Sequence, residues 1–410
     1  MTRRVAITGL GVVAPNGIGV PGFVDALLAG RSGIRPVTLF DPASLPTRIA
    51  GEVKEAPPAP LPDRKIGFAL AAAREAFQQA CSSGSVPVGR GGLSLGVGLE
   101  LFSMDDLVEQ RRGRPLPSAA VERLSFMQTP SDLCAHFLSQ AHGLTLPPLL
   151  HVSACAAGTD AVGAGFRRVR SGRADFMLVG GTDSMINPLG MAGFASLNAT
   201  STRNQEPERA SRPFERGRDG FVLGEGAGML VLEAWESALA RGAKPLGELV
   251  GYGSSLDAHG ISEPHPEGRG AAQAMARALA DARLSATDIS AINAHGTATP
   301  KNDPLETVAI HRVFGQHAKN TPISATKSMI GHLISAAGAV EAVAALGCMN
   351  AGFVHPTINL DEPDPSCDLD YVPHHARRHQ QSYVLSSSYG FGGHNAAIVL
   401  RGQEAALAAE

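Results

Sequence analysis

The sequence predicts an α/β fold with largely buried sheets. Short apolar, strand-like runs alternate with longer stretches of helical periodicity along the whole chain. Of the 410 residues, 44% are hydrophobic and 18% charged, enough apolar surface for a large core and too little charge for a disordered chain. The two sides of a softer break at Trp235–Lys244 also end alike. Gly224-Glu225-Gly226-Ala227-Gly228 runs into Met229–Leu232, and Gly390-Phe391-Gly392-Gly393-His394 runs into Ala397–Leu400. That echo hints at a duplicated architecture, divided here into residues 1–243 and 244–410.

Taken in order, the first strand is Val5–Thr8. The preceding Met1-Thr2-Arg3-Arg4 gives the start a superficial likeness to a signal peptide, but glycines interrupt the apolar run and no cleavage site follows, so a buried strand fits better. Gly9-x-Gly11 is not a dinucleotide fingerprint, because position 14 is Ala and Pro15 interrupts the helix start. Glu55–Pro62 is a Pro/Ala loop and Ile66–Gln79 a helix. Leu93–Val97 and Leu149–Val152 read as strands, Gly158–Ser171 as a helix, and Phe176–Val179 and Met229–Leu232 as strands. Beyond the break come the helix Gly270–Ala282, the strands Ile292–Asn293 and Pro322–Ser324, the helix Leu333–Leu346, and the strands Tyr383–Ser386 and Ala397–Leu400.

Composition narrows the function. A net charge of −3 argues against a general nucleic-acid binder. No stretch reaches 18 uninterrupted apolar residues, so no membrane span is expected. The five cysteines are odd in number and scattered, with no CxxC pair. Neither a disulfide framework nor a metal site is expected, and a reducing, cytoplasmic setting is the default.

Four stretches carry chemistry. In Val152-Ser153-Ala154-Cys155-Ala156-Ala157-Gly158, a cysteine sits among small residues where a strand gives way to a helix whose apolar face is Val162, Phe166 and Val169. A thiol at a helix N-terminus is expected to have a lowered pKa. An inert, buried cysteine is the competing reading. In Asn293-Ala294-His295-Gly296-Thr297-Ala298-Thr299, His295 follows a strand at the head of a turn. In Ser324-Ala325-Thr326-Lys327-Ser328-Met329-Ile330-Gly331-His332, a second histidine precedes a nearly all-apolar helix that contains Glu341, and Lys327 is its candidate partner. Ser387–Asn395 is a glycine loop able to aim backbone N–H groups at a ligand. A cysteine with one histidine would suit a hydrolase; two separate histidines suggest a second electrophilic task.

Taken together and in order, these strings resemble the β-ketoacyl-acyl carrier protein synthases of the synthase II type and their type II polyketide relatives, within the thiolase superfamily. Arg212-Pro213-Phe214, Arg218-Asp219-Gly220-Phe221 and Val5-Ala6-Ile7-Thr8-Gly9-Leu10-Gly11 extend the resemblance nearly end to end. It implies a cytoplasmic dimer of thiolase folds, each chain two similar halves packed in α-β-α-β-α layers. It implies decarboxylative condensation of an acyl group on Cys155 with malonyl-acyl carrier protein. His295 and His332 would stabilise the enolate, Lys327 would hold the His332 region electrostatically with Glu341 fixing Lys327, and the N–H groups of Cys155 and Phe391 would form the oxyanion hole. Phe391 would also gate the acyl pocket, to which Leu99, Phe194 and Gly392 are assigned. Thr297 and Thr299 would bind the phosphopantetheine arm, and Arg64, Lys65 and Arg203 would dock the acidic carrier at a basic entrance. No cofactor is implied beyond the carrier's phosphopantetheine. The dimer would be of identical chains, or with a ketosynthase-like chain-length subunit. A partner lacking the nucleophile is argued against by Cys155. A degradative thiolase is argued against by the absence of a second cysteine in the C-terminal glycine loop. Leu99-Glu100-Leu101, Tyr389 and His394 depart from the synthase II pattern.

Overall fold

A computed structural model describes residues 2–61, 63–98, 130–260 and 262–409. Ten strands form the body of one sheet system. They are β1 (Val5–Ala14), β2 (Gly91–Val97), β3 (Leu149–His151), β4 (Phe176–Asp183), β5 (Gly226–Ala234), β6 (Gly247–Leu256), β7 (Ala291–Asn293), β8 (Ile323–Ser324), β9 (Tyr383–Gly390) and β10 (His394–Gly402). A two-residue strand, Gly17–Ile18, pairs with β1. The spatial order is β8-β7-β9-β10-β6-β1-β5-β4-β2-β3. From the middle outward, each half places its own strands in the order first, fifth, fourth, second, third. In each half the fifth strand pairs antiparallel with the first and fourth, and the second pairs parallel with the third and fourth. Among the described residues, the strands of the two halves pair only at Ala6↔Glu248 and Ile7↔Gly247. The duplication is therefore a property of topology, and the two similar glycine loops lead into the equivalent strands β5 and β10.

The helices that frame the site among those of the layers are α1 (Arg64–Ala80), α2 (Ala157–Arg170), α3 (Arg269–Ala282), α4 (Asn302–Phe314) and α5 (Ala337–Asn350). α1 starts at Asp63, whose carboxylate accepts the N–H of Lys65 at 3.1 Å. It packs on β1 and β5, while α3 packs on β6 and β10. The Gly9-x-Gly11 pair belongs to this packing, since a Cβ at Gly9 would lie 1.9 Å from the Ala76 carbonyl oxygen. α2 and α5 each touch strands of both halves of the sheet system. On α2, Val162, Phe166 and Val169 are buried as the periodicity requires. α5 is buried nearly all round, which explains a sequence without a polar face. The two central helices cross so closely that a Cβ at Gly338 would sit 1.9 Å from Thr159 Oγ1.

Two sequence expectations need correction. The strand β6, which joins the halves, was not anticipated. The helix expected from Leu333 starts instead as a 3₁₀ turn, Ile334–Ala336, and becomes α-helical only at Ala337, because Ile334 has φ +44°. Among the described residues, no helix is long and apolar enough to cross a membrane.

Candidate active site

Cys155 lies in a 3₁₀ turn, Ala154–Ala156, that runs into α2. Ala154 holds φ +48°, a conformation costly to a residue with a Cβ and one that turns the thiol out of the helix start. The backbone N–H groups of Phe391 and of Cys155 itself both act on the sulfur. The expected lowering of the thiol pKa is not what the surroundings produce. Burial dominates and pushes it up to about 11, outweighing the pull of Lys327 and of the two N–H groups. A helix N-terminus cannot compensate for a site that excludes water.

His295 comes from the loop after β7, where Glu306 of α4 fixes the backbone. Its Oε1 accepts the His295 N–H at 2.7 Å and its Oε2 the Gly296 N–H at 2.8 Å. Burial raises the Glu306 carboxyl to about 7, against those two bonds. His332 comes from the loop before α5, and the Phe221 ring meets it edge-on at 5.3 Å. The two imidazoles stand at 5.3 Å and 85° to each other. Ligand atoms of Cys155, His295 and His332 all lie within 4.8 Å of one another.

Hydrogen bonds decide what the imidazoles offer. His332 Nδ1 accepts the Ile334 N–H at 3.1 Å, and His295 Nδ1 lies 3.2 Å from Lys327 Nζ, a donor. With both Nδ1 atoms accepting, the neutral rings carry their protons on Nε2. Burial, then Lys327, holds both pKa values well below the usual imidazole range; His332 adds to the effect on His295. The site therefore presents neutral N–H donors. The Cys/His/His spacing would suit a soft metal, but ligation through Nε2 would move each proton to an Nδ1 that already faces a donor.

Lys327 Nζ donates to Glu341 Oε1 as well as reaching His295. Its direct contact is with His295, while His332 feels its field, the electrostatic influence expected of it. Burial raises Glu341 to about 7 despite the lysine, and Glu341 Oε2 has no hydrogen-bond partner.

A cavity of about 240 Å³ opens onto Cys155, His295 and His332 and is also lined by Thr297, Thr299 and Phe391. The two threonine hydroxyls are 3.0 Å apart. Phe391 is half-buried against an apolar cluster that includes Phe194, Phe221 and Ile334. Phe194 backs Phe221 at 5.6 Å and does not line the cavity. Gly392 has φ +81° and is exposed at the tip of the loop. Leu99, with Glu100 and Leu101, lies outside the described residues. Phe221 and Tyr389 escaped the sequence reading as wall residues. Each meets a histidine edge-on, Tyr389 at 5.5 Å from His295; Phe221 ends the string Arg218-Asp219-Gly220-Phe221 and Tyr389 lies in the Ser387–Asn395 glycine loop, but a sequence string does not show which side chain faces a histidine.

The docking trio does not stand as expected. Lys65 is fully buried beside Asp63 at 3.3 Å, so it offers no surface charge. Arg64 is bound to the buried Glu225 and lies over Phe68. Only Arg203 keeps much exposure, with its guanidinium on the Gly217 carbonyl at 2.8 Å and 3.7 Å from Asp219.

A duplicated α-β-α-β-α fold in which a buried cysteine of one half meets two neutral imidazoles of the other defines an acyl-condensing enzyme of the thiolase type. Family models agree: residues 2–238 match the β-ketoacyl synthase N-terminal domain and residues 246–361 its C-terminal domain. The chain belongs to the β-ketoacyl synthase family. It is 43% identical to 3-oxoacyl-acyl-carrier-protein synthase 2 of Synechocystis sp., over 97% of this chain and 98% of that one. It is equally 43% identical to a putative polyketide beta-ketoacyl synthase 1 of Streptomyces cyaneus, over 98% and 99%. Among solved structures, the ishigamide ketosynthase/chain length factor superposes with a TM-score of 0.84 at 34% identity, over 98% of this chain and 100% of that one.

Proposed function

We propose that the chain extends a Cys155-bound acyl group by two carbons taken from malonyl-acyl carrier protein. In the first stage the Cys155 sulfur attacks the thioester of an acyl-carrier protein. A C–S bond forms, the carrier's C–S bond breaks, and the thiol proton leaves with the carrier thiol. The N–H groups of Cys155 and Phe391 receive the developing oxyanion. In the second stage malonyl-carrier protein loses carbon dioxide, and the enolate oxygen takes hydrogen bonds from Nε2–H of His295 and His332. The carbanion attacks the acyl carbonyl, the bond to Cys155 breaks, and the thiolate recovers a proton from water that enters the cavity as the product leaves. Lys327 orients His295 and, with burial, keeps both imidazoles neutral. Phe391 closes the apolar side of the pocket, and Thr297 and Thr299 hold the arm. Of the docking trio, only Arg203 is retained for the carrier.

The observation that carries this reading is the convergence of three reactive side chains from two halves, residues 1–243 and 244–410, within 4.8 Å. The five cysteines are free, which fits a reducing cytoplasm. The test is to incubate the purified chain with malonyl-carrier protein and a panel of acyl-carrier proteins and to weigh the products. An increase of one ketide unit is expected, and no extended product from any acyl donor would reject the reading.

A second reading, a ketosynthase that works beside a chain-length subunit, draws on the likeness to the ishigamide pair and on Tyr389 and His394. Native mass decides between them: an active dimer of identical chains removes the need for a second subunit.

A further inference from the structure

The cavity at Cys155 carries formal charge at its exposed end. Among the described residues that line it, Lys301 is the one lysine or arginine, set against the carboxylates of Asp257 and Glu263. Along the cavity itself, among the described residues, the basic entrance expected from the sequence is represented by this one ammonium. Asp257 is already engaged: Oδ1 accepts from Asn395 Nδ2 at 3.0 Å and Oδ2 from the His265 N–H at 3.0 Å. Lys301 and Glu263 bond to each other, Nζ to Oε1, with side chains 66% and 57% exposed. Lys301 directly precedes α4, near the positive end of that helix, a placement that favours an anion beside it. In the chain alone Glu263 is that anion. Thr297 and Thr299 line the same cavity four and two residues upstream.

We propose that Lys301 reads the phosphate of the phosphopantetheine arm and that Glu263 is a built-in stand-in for it, displaced when the arm enters. The proposal rests on the condensing reading above. A phosphodiester is the anion that such an arm brings to the outer end of its tunnel. The malonyl carboxylate belongs at the buried imidazoles, where it must be lost. An exposed ion pair is weak, so exchanging one anion for another at Lys301 costs little.

The test compares malonyl-phosphopantetheine with malonyl-pantetheine, two thioesters that differ only in the phosphate, using a small acyl thioester as primer. The unaltered chain should prefer the phosphorylated form in kcat/KM. Lys301→Gln should lower that preference about fivefold, the scale of one exposed ion pair. Glu263→Gln should raise it, and added salt should compress it in the unaltered chain. An unchanged preference in Lys301→Gln, or an equal loss on both thioesters, would overturn the proposal. Failure of the folded, unaltered chain to condense either thioester would instead sink the condensing reading, and this inference with it.

Discussion

The turn before α2 and the turn before α5 share a backbone and differ in chemistry. Each is a 3₁₀ turn entered through a residue at positive φ, Ala154 at +48° and Ile334 at +44°. The next residue is Cys155 in one half and Ser335 in the other. Opposite Cys155, β9 ends at Gly390, and the N–H of the next residue, Phe391, acts on the sulfur. Opposite Ser335, β4 ends at Asp183, whose Oδ2 lies 2.6 Å from the Ser335 hydroxyl and 3.1 Å from its N–H. Burial raises that carboxyl to about 6, and its Oδ1 has no hydrogen-bond partner. Duplication supplies the same geometry twice. An N–H at the end of the facing strand can receive an oxyanion; a carboxylate there consumes the donors and repels one. A strained turn of this kind does not by itself make a reactive site.

Exchanging the two residues is the strongest way to break the comparison. Cys155→Ser should lower elongation at least about a thousandfold, as removal of a nucleophile does elsewhere, and should leave malonyl decarboxylation measurable. Ser335→Cys should gain no acyl group, because Asp183 still faces it, and should lose about 1–3 kcal/mol of stability with the hydroxyl's bonds. Intact-protein mass after exposure to acyl-carrier protein reads both variants. Acyl label on Ser335→Cys in a Cys155→Ala background would show that the strand-end residue does not govern reactivity.

The second test separates Lys327's electrostatic task from its structural one. Lys327→Met leaves Glu341 buried without its donor. Breaking a buried pair costs about 3–5 kcal/mol in general, but a carboxyl already raised to about 7 protonates easily, so the loss should fall near or below the low end of that range. Decarboxylation should drop about a hundredfold as His295 loses its positioning donor. The double variant Lys327→Met/Glu341→Gln should recover thermal stability without recovering decarboxylation. Recovery of both would reduce Lys327 to a scaffold residue.

The sequence disclosed these features unevenly, for physical reasons. Cys155, His295 and His332 stand out because small residues surround them where a strand turns into a loop or helix, and the fold brings them together. β6 was hidden because Gly251, Gly253, Ser254 and Ser255 erase the alternation of a strand. The glycines are there because α3 lies close: a Cβ at Gly253 would sit 2.3 Å from the Ala274 carbonyl oxygen. Lys65 misled because a charge in a sequence carries no record of burial. The thiol pKa misled for the same reason, since a helix start is local and desolvation is tertiary. The positive φ of Ile334 could not be seen within an apolar run.

The smallest expected change is the most discriminating about the second half. With pKa values well below 6.5, His295 and His332 should keep the shifts of neutral imidazoles in NMR spectra from pH 8 down to pH 6. Global stability is a poor reader of this. The unfolded chain takes up protons on these histidines near pH 6.5 and the folded chain does not, so their contribution is present above 6.5 and is lost as pH falls toward the folded pKa, by up to about 1.4 kcal/mol per pH unit for each. Glu306 and Glu341 act in the opposite direction. Raised to about 7 in the fold, they add stability as pH falls from about 7 toward 4.5 and so offset the histidines. Only the imidazole signals separate the two. Protonation of either histidine near pH 6.5 would mean that water reaches the pocket, and the raised thiol of Cys155, which rests on the same exclusion of water, would fall with it.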